Sequence, residues 1–195
     1  MYNKIIDFEK EIAEFTGAPY VIVTDCCTHA LEMCFLYDQV KNCEFTAYTY
    51  LSVPMTMHKL GIKYHLIDQK WVGEYRFYQT RIWDSARRLE PNMYRAGQMQ
   101  CLSFGVGKPV DNNRGGAILL DDPIAADAIR KMRFDGRDLT IIPWIDQKEF
   151  NLGFHYKLNP DECIRGLDKL REYVNNGDYT PKNVEYPDCR QITIK

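Results

Sequence analysis

The 195-residue chain is long enough to bury one sizeable core, and its 45% apolar and 27% charged residues are ordinary globular values. A formal net charge of -2 excludes a general nucleic-acid or membrane-surface binder, since both need a basic surplus. No apolar run approaches the roughly 20 residues of a membrane span, and the seven scattered cysteines include no C-x-x-C pair, so reduced cytoplasmic thiols are expected rather than a zinc site or a disulfide framework.

Residues 5–15 carry apolar side chains at 5, 6, 8, 12, 13 and 15, a helical spacing that TGAP at 16–19 stops. Asp7, Glu9, Glu11 and Glu14 make this an amphipathic helix and not a signal peptide. YVIVTD (20–25) is a continuous apolar run bounded by turn residues, which predicts a buried strand. THALEMCFLYDQV (28–40) predicts a helix, CEFTAYTY (43–50) a strand, SVPMTMHKLG (52–61) a short helix ending at Gly61, and KYHLID (63–68) a strand. RIWD (81–84), QCLSF (100–104) and GAILLDD (116–122) are further strands. IAADAIRKMRFDG (124–136) is a helix with Gly136 at the C-cap position, and PDECIRGLDKLREYVNNG (160–177) is another. Strands alternating with helices predict an α/β fold, a compact three-layer α/β/α arrangement around a mostly parallel central sheet. Residues 1–177 form the expected domain, and 178–195, with Pro181 and Pro187, an extended arm. The twelve residues between Asp68 and Arg81 leave no room for a helical crossover plus a further strand, so a hairpin is expected there.

In parallel α/β sheets, ligands sit beyond the carboxyl ends of the strands. Four such ends carry chemistry. In VTDCCTHAL a strand runs into a helix whose first turn offers backbone N–H groups and the Thr28 hydroxyl, a phosphate-cradling geometry, although Thr28 also reads as a plain N-cap. Tyr50 follows a strand and can stack on a flat ring, or be an ordinary core or surface tyrosine. Asp84 ends RIWD, where a strand-end carboxylate is also a common structural feature. SFGVGKPVDNNRGGAILL (103–120) holds Ser103 and a lone Lys108, whose bland reading is a solvated loop lysine. Together these residue types describe pyridoxal phosphate. It needs a phosphate cup, a ring clamp, a carboxylate to keep the ring nitrogen protonated, and a lysine for the Schiff base.

The sequence resembles the DegT/DnrJ/StrS-type sugar aminotransferases, fold-type-I pyridoxal-phosphate enzymes, from about Phe8 to Leu170 and in the family's motif order. FEKEIAEFTGAPYVIVTDCCTHAL is similar to the family's opening helix, strand and S-G-T-x-A-L turn, which implies Cys27 and Thr28 on the cofactor phosphate. TYLSVPMTMHKLGIKYHLID resembles the next block, with Tyr50 as the stacking aromatic. WDSA is similar to the D-x-A motif, which implies Asp84 on the ring nitrogen and Ala86 on the ring face. LSFGVGKPVDNNRGGAILLDD resembles the S-F-x-x-x-K…G-G segment, with Ser103 on the phosphate and Lys108 as the Schiff-base lysine. IRKMRFDGRD and LGFHYKLNPDECIRGLDKL parallel later blocks.

The resemblance implies transfer of an amino group from glutamate to the keto group of a nucleotide-linked sugar, in a homodimer. Arg87, Arg88 and Arg114 are candidates to meet the substrate's phosphates, or are solvated surface charge. Cys27 stands where the family usually has Gly, and Arg87 where it tends to have Gln or His. The G-x-N-x-R block reads Gly153, His155 and Lys157, and the family's C-terminal small domain has no counterpart in the sequence. Two other functions fit the same residues: a catalytically altered protein serving as a binding or assembly module, and a pyridoxal-phosphate enzyme of another reaction type. A nucleotide P-loop around Lys108 fails, because Leu102 stands five residues before Gly107 where Gly is needed and Pro109 follows the lysine. His29, His58, His65 and His155 lack ligand spacing, so no metal is expected.

Overall fold

A computed structural model describes residues 3–181 and 184–194. In chain order the elements are α1 (Asn3–Thr16), β1 (Tyr20–Thr24), α2 (Cys27–Tyr37), β2 (Asn42–Thr46), α3 (Ser52–Leu60), β3 (Lys63–Ile67), β4 (Tyr75–Arg76), β5 (Ile82–Asp84), β6 (Met99–Ser103), β7 (Gly116–Leu120), α4 (Pro123–Met132) and α5 (Pro160–Asn176). No helix among the described residues is long and apolar enough to cross a membrane.

The fold class is α/β with three layers, as expected. Alternation along the strands builds it: Val21 and Val23 of β1, with Ala117 and Leu119 of β7, face a core closed by Ile5, Phe8 and Ile12 of α1 and Cys163 and Leu170 of α5. Ile22, Ile118 and Leu120 point the other way, into a second core formed with Leu31, Cys34 and Phe35 of α2 and Ala125 and Ile129 of α4. A buried ion pair clamps α1 to the turn after α4. Arg133 reaches the Glu9 carboxylate and donates to the Val23 carbonyl at 2.6 Å, and Glu9 accepts from the Val23 N–H at 2.9 Å.

The pairing directions differ from a mostly parallel sheet. The main sheet has the order β1-β7-β6-β5-β4, in which only β5 and β6 pair in parallel. β7 is inserted antiparallel between β1 and β6, and β4 lies antiparallel on β5. β2 and β3 form a separate parallel pair, joined to the β4 end by an antiparallel bridge between Glu44 and Tyr78. Consequently β1, β2, β3, β5 and β6 all run in one direction, while β7 and β4 run against them. The short connection before Arg81 is the expected hairpin, β4 to β5.

Cap chemistry sets most helix ends. Asp122 accepts from the Ile124 and Ala125 N–H groups ahead of α4, with Pro123 opening the helix. Gly177 adopts the left-handed conformation after α5. Gly136 does not cap α4, contrary to expectation. The helix ends at Met132 with Arg133 as its cap, because the Arg133 side chain turns inward to Glu9 and Phe134 bridges to His155. Gly136 instead takes a left-handed turn tight against residue 151.

Candidate active site

The five co-directed strands all end at the same edge, and each delivers residues to one cavity of about 440 Å³. β1 leads into residues 26–28 at the start of α2, β2 into Thr49 and Tyr50, and β3 into Trp71. β5 ends on Asp84 with Ala86 and Arg87 just beyond, and β6 ends on Ser103 with Lys108 in the following loop. The cavity wall therefore includes Cys27, Thr28, Tyr50, Asp84, Ala86, Ser103 and Lys108, every residue the sequence suggested for cofactor contact.

The first turn of α2 carries N–H groups with no acceptor inside the helix. Cys26, extended at φ -162°, is its N-cap and accepts the His29 N–H. Thr28 is thus not the cap; its hydroxyl sits 2.7 Å from Ser52 Oγ. Cys27 does not crowd the turn, because its Sγ points down to the Cys101 carbonyl at 3.7 Å. Burial, and then the nearby Asp84 charge, push the Cys27 thiol well above its ordinary pKa. A Cβ on Gly116 would lie 2.5 Å from the Cys27 nitrogen, so only glycine lets β7 pass behind this turn.

Asp84 is buried and accepts two hydrogen bonds, from Tyr75 Oη to Oδ2 at 2.8 Å and from the Ala86 N–H to Oδ1 at 2.9 Å. Tyr75 has one proton and spends it on Asp84. Thr49 Oγ1, 2.6 Å from the same phenol oxygen, must therefore be the donor in that contact. A buried relay runs Thr49 to Tyr75 to Asp84. Burial pushes the Asp84 carboxyl above its ordinary pKa, and the Tyr75 and Ala86 bonds and the Lys108 charge only partly offset it. The carboxylate is a buried anion that a cationic partner would stabilise.

Lys108 follows the left-handed Gly107 in a turn closed by its own N–H to the Gly105 carbonyl at 3.2 Å. Among the described residues its amine makes no hydrogen bond or ion pair, yet its charge is felt at both Asp84 and Cys27. Tyr50 stands at the mouth, 64% exposed and without an aromatic partner among the described residues. Arg87 lines the cavity, but Arg88 and Arg114 do not. Arg88 is bound to Glu74 and Glu90, and Arg114 faces Asp25 and Glu162.

Four residues of the site carried no signal that set them apart in the sequence. Tyr75 and Thr49 form the relay, and Trp71 stacks on Tyr186 with ring centroids 5.7 Å apart and planes 14° from parallel. Tyr186 belongs to the segment after α5, which folds back so that the Cys189 N–H reaches the Ala47 carbonyl at 2.9 Å. A tail holding tyrosines and a cysteine instead of an unbroken polar run was the available clue. Asp25, Cys26 and His29 place three metal-ligating atoms within 4.8 Å of one another, closer than their sequence spacing suggested. They satisfy each other: His29 Nδ1 lies 2.7 Å from Asp25, and Cys26 caps the His29 N–H.

The model of the DegT/DnrJ/EryC1/StrS aminotransferase family matches residues 1–72 and 92–177. The hairpin between these stretches, with Asp84 and Ala86, lies outside the match. A search of curated sequences found no significant match. Among solved structures, AtS13 from Actinomadura melliaura superposes with a TM-score of 0.75 at 16% identity, over 88% of this chain and 60% of its own. The sugar aminotransferase CalS13 from Micromonospora echinospora gives 0.73 at 14% identity, over 88% and 61%. NtdA from Bacillus subtilis, solved with bound cofactor PMP, gives 0.69 at 15% identity, over 88% and 48%. The chain thus spans about 60% of the length of the first two structures, and at these identities the likeness is one of fold.

Proposed function

The chain belongs to the DegT/DnrJ/EryC1/StrS aminotransferase family, and from that premise we propose that it is a pyridoxal-phosphate-dependent aminotransferase that moves an amino group from glutamate to the keto group of a nucleotide-linked sugar. One observation carries the reading: a primary amine without a hydrogen-bond partner among the described residues, a buried carboxylate and a helix N-terminus flanked by hydroxyls converge on a single cavity. That donor set fits the cofactor. Lys108 would hold it covalently, Thr28, Ser103 and the first-turn amides of α2 would bind its phosphate, and Ala86 and Tyr50 would flank its ring.

When bound, the cofactor supplies an aldehyde that exchanges nitrogen with amines and a protonated ring that accepts a carbanion's electrons. Asp84 would keep the proton on the ring nitrogen. Its raised pKa reflects burial that the Tyr75 and Ala86 bonds and the Lys108 charge only partly offset, and a cationic ring nitrogen beside it would offset that cost further. The Thr49–Tyr75 relay fixes Asp84 Oδ2, and the Ala86 N–H fixes Oδ1, so the carboxylate cannot swing. Lys108 Nζ, once free, would serve as the general base that takes the proton from the donor's α-carbon and the general acid that returns it on the far side of the transferred nitrogen. Trp71 and Tyr186, stacked on each other, line the same cavity. Of the three arginines, Arg87 lines the cavity, which supports it as the one that would hold an anionic part of a substrate.

A homodimer is part of the proposal. Ile142, Ile145 and Leu152, each at least 66% exposed, with Trp144 and Phe150 nearby, offer an apolar surface for a second copy. All seven cysteines are free, which suits a cytoplasmic setting. The test is a half-reaction. Cofactor-loaded protein mixed with glutamate is expected to release one equivalent of 2-oxoglutarate per site. Loaded protein that releases no keto acid from any amino acid would refute transamination and leave a binding module.

A further inference from the structure

Residues 186–189 run back across the loops that leave β2 and β3 and reach both ends of the Asp84 relay. Asp188 forms an antiparallel bridge with Tyr48, and the Cys189 N–H donates to the Ala47 carbonyl at 2.9 Å. Cys189 is buried, and its Sγ–H points to the Thr49 carbonyl at 3.5 Å, closer than the Pro187 carbonyl at 3.9 Å. The backbone of the relay's first residue is thereby held from the tail. Tyr186 reaches the other end. Its ring lies on Trp71, 14° from parallel, and Trp71 packs on the Tyr75 ring at 4.9 Å. The Trp71 Nε1–H donates to the Tyr48 carbonyl at 2.6 Å, which joins the loop after β3 to the same bridge. Arg190 pairs with Asp188 at 2.6 Å and Asp68 at 3.6 Å, but such partly exposed pairs contribute little.

We propose that Tyr186 and Cys189 are positioning residues that act on Asp84 through Tyr75 and Thr49, so that docking of residues 186–189 and occupation of the cavity strengthen each other. The proposal rests on the reading of Asp84 as the carboxylate that meets the ring nitrogen. The relay works only while its two hydroxyls point one way, Thr49 to Tyr75 at 2.6 Å and Tyr75 to Asp84 at 2.8 Å. Bonds this short tolerate little displacement or bending. Thr49 lies in a loop and Tyr75 in a two-residue strand, so neither is held firmly by its own element. The tail ties the two together. When it lifts away, Thr49 loses a backbone anchor and Trp71 loses the ring that presses it toward Tyr75. Asp84 Oδ2 then spends part of its time without a donor. A buried carboxyl in that state holds a proton itself instead of leaving it on a cationic ring nitrogen. The coupling is reciprocal: whatever the docked tail adds to cofactor affinity, bound cofactor adds to docking of the tail.

The test is calorimetric titration of the full-length chain with pyridoxamine phosphate, which carries the ring nitrogen and the phosphate but forms no covalent bond with a lysine. Tyr186→Ala is expected to weaken binding about tenfold and Cys189→Ala about threefold. Tyr186→Phe, which keeps the stack and loses only the hydroxyl, should stay within about twofold of the wild type. The discriminating measurement repeats both alanine variants in an Asp84→Asn background, where each should change affinity by less than about twofold. Losses of equal size in the two backgrounds would mean that Tyr186 and Cys189 touch the ligand or merely hold the fold, and would overturn the proposal. So would unchanged affinity in the single variants. Amide exchange of residues 184–194 reads the coupling from the other side. Saturating pyridoxamine phosphate should slow it about threefold or more in the wild type and not in Asp84→Asn, and equal protection in both would also overturn the proposal. Attachment of pyridoxal phosphate to Lys108, measured on the same samples, separates the two readings. Asp84-dependent effects without attachment sink the aminotransferase reading alone, and attachment with additive effects sinks the positioning role alone.

Discussion

Replacing Tyr75 by Phe removes one oxygen from the middle of the buried relay. Tyr75, Thr49 and Asp84 are 3%, 1% and 6% exposed, so water does not readily replace the lost contacts. Asp84 Oδ2 loses its only side-chain donor among the described residues and the Thr49 hydroxyl loses its acceptor. A buried polar group left unpaired costs about 1–3 kcal/mol, with a carboxylate at the upper end. The ring itself stays, keeping its contacts with Trp71 at 4.9 Å and Phe77 at 5.4 Å, so no cavity cost is added. The expected loss is about 2–3 kcal/mol, which for a chain of this size lowers Tm by roughly 4–12 °C. Losing a bond to the charged form also raises the Asp84 pKa further, so the carboxyl holds a pyridinium proton less well at neutral pH. Urea unfolding at pH 8, with the cofactor dissociation constant measured in parallel, reads both effects. A stability change under about 0.5 kcal/mol together with unchanged cofactor affinity would refute the relay.

Asp84→Asn should behave oppositely in the cofactor-free protein. The relay can reverse, with the Asn amide donating to Tyr75 and Tyr75 to Thr49, and the buried charge is gone; stability at pH 8 should therefore hold or rise while cofactor affinity falls at least tenfold. A clear drop in Tm would contradict this. Gly116→Ala puts a Cβ 2.5 Å from the Cys27 nitrogen and 2.6 Å from the Cys26 carbonyl carbon, backbone atoms that cannot step aside cheaply. It should cost about 2 kcal/mol or more and loosen the phosphate cup, and an unchanged urea midpoint would contradict the close approach. Burial works to lower the His29 pKa, but its bonds to Asp25 and Cys26 outweigh that and hold it at about 9. Its stabilising contribution is therefore complete below the unfolded value near 6.5 and is lost as pH rises through about 9. Tm should fall between pH 7 and pH 10 more in the wild type than in His29→Gln, and parallel curves would count against the pair.

Local signals made much of this molecule legible. The spacing of Ile5, Phe8 and Ile12 marks the buried face of α1, and the apolar run at 20–24 is a strand covered on both sides, as its lack of alternation implies. The residues that the sequence suggested for cofactor contact share one cavity because most of them lie at or just beyond strand ends. Strand direction was not readable. Nothing in GAILL says whether β7 runs with or against its neighbours, and its antiparallel insertion between β1 and β6 is set by long-range pairing. Two-residue β4 is too short for any periodicity. Cys26 as N-cap, the Thr49–Tyr75 relay and the Tyr186–Trp71 stack are long-range or atypical choices that composition does not encode. Arg88 and Arg114 could not be told from Arg87 until their carboxylate partners were located.

The covalent role of Lys108 is tested most directly by loading the protein with pyridoxal phosphate, reducing it with borohydride and mapping the peptides by mass spectrometry. One phosphopyridoxyl group on Lys108, absent from Lys108→Ala, is the predicted result. The label on another lysine, or none at all, would contradict the account.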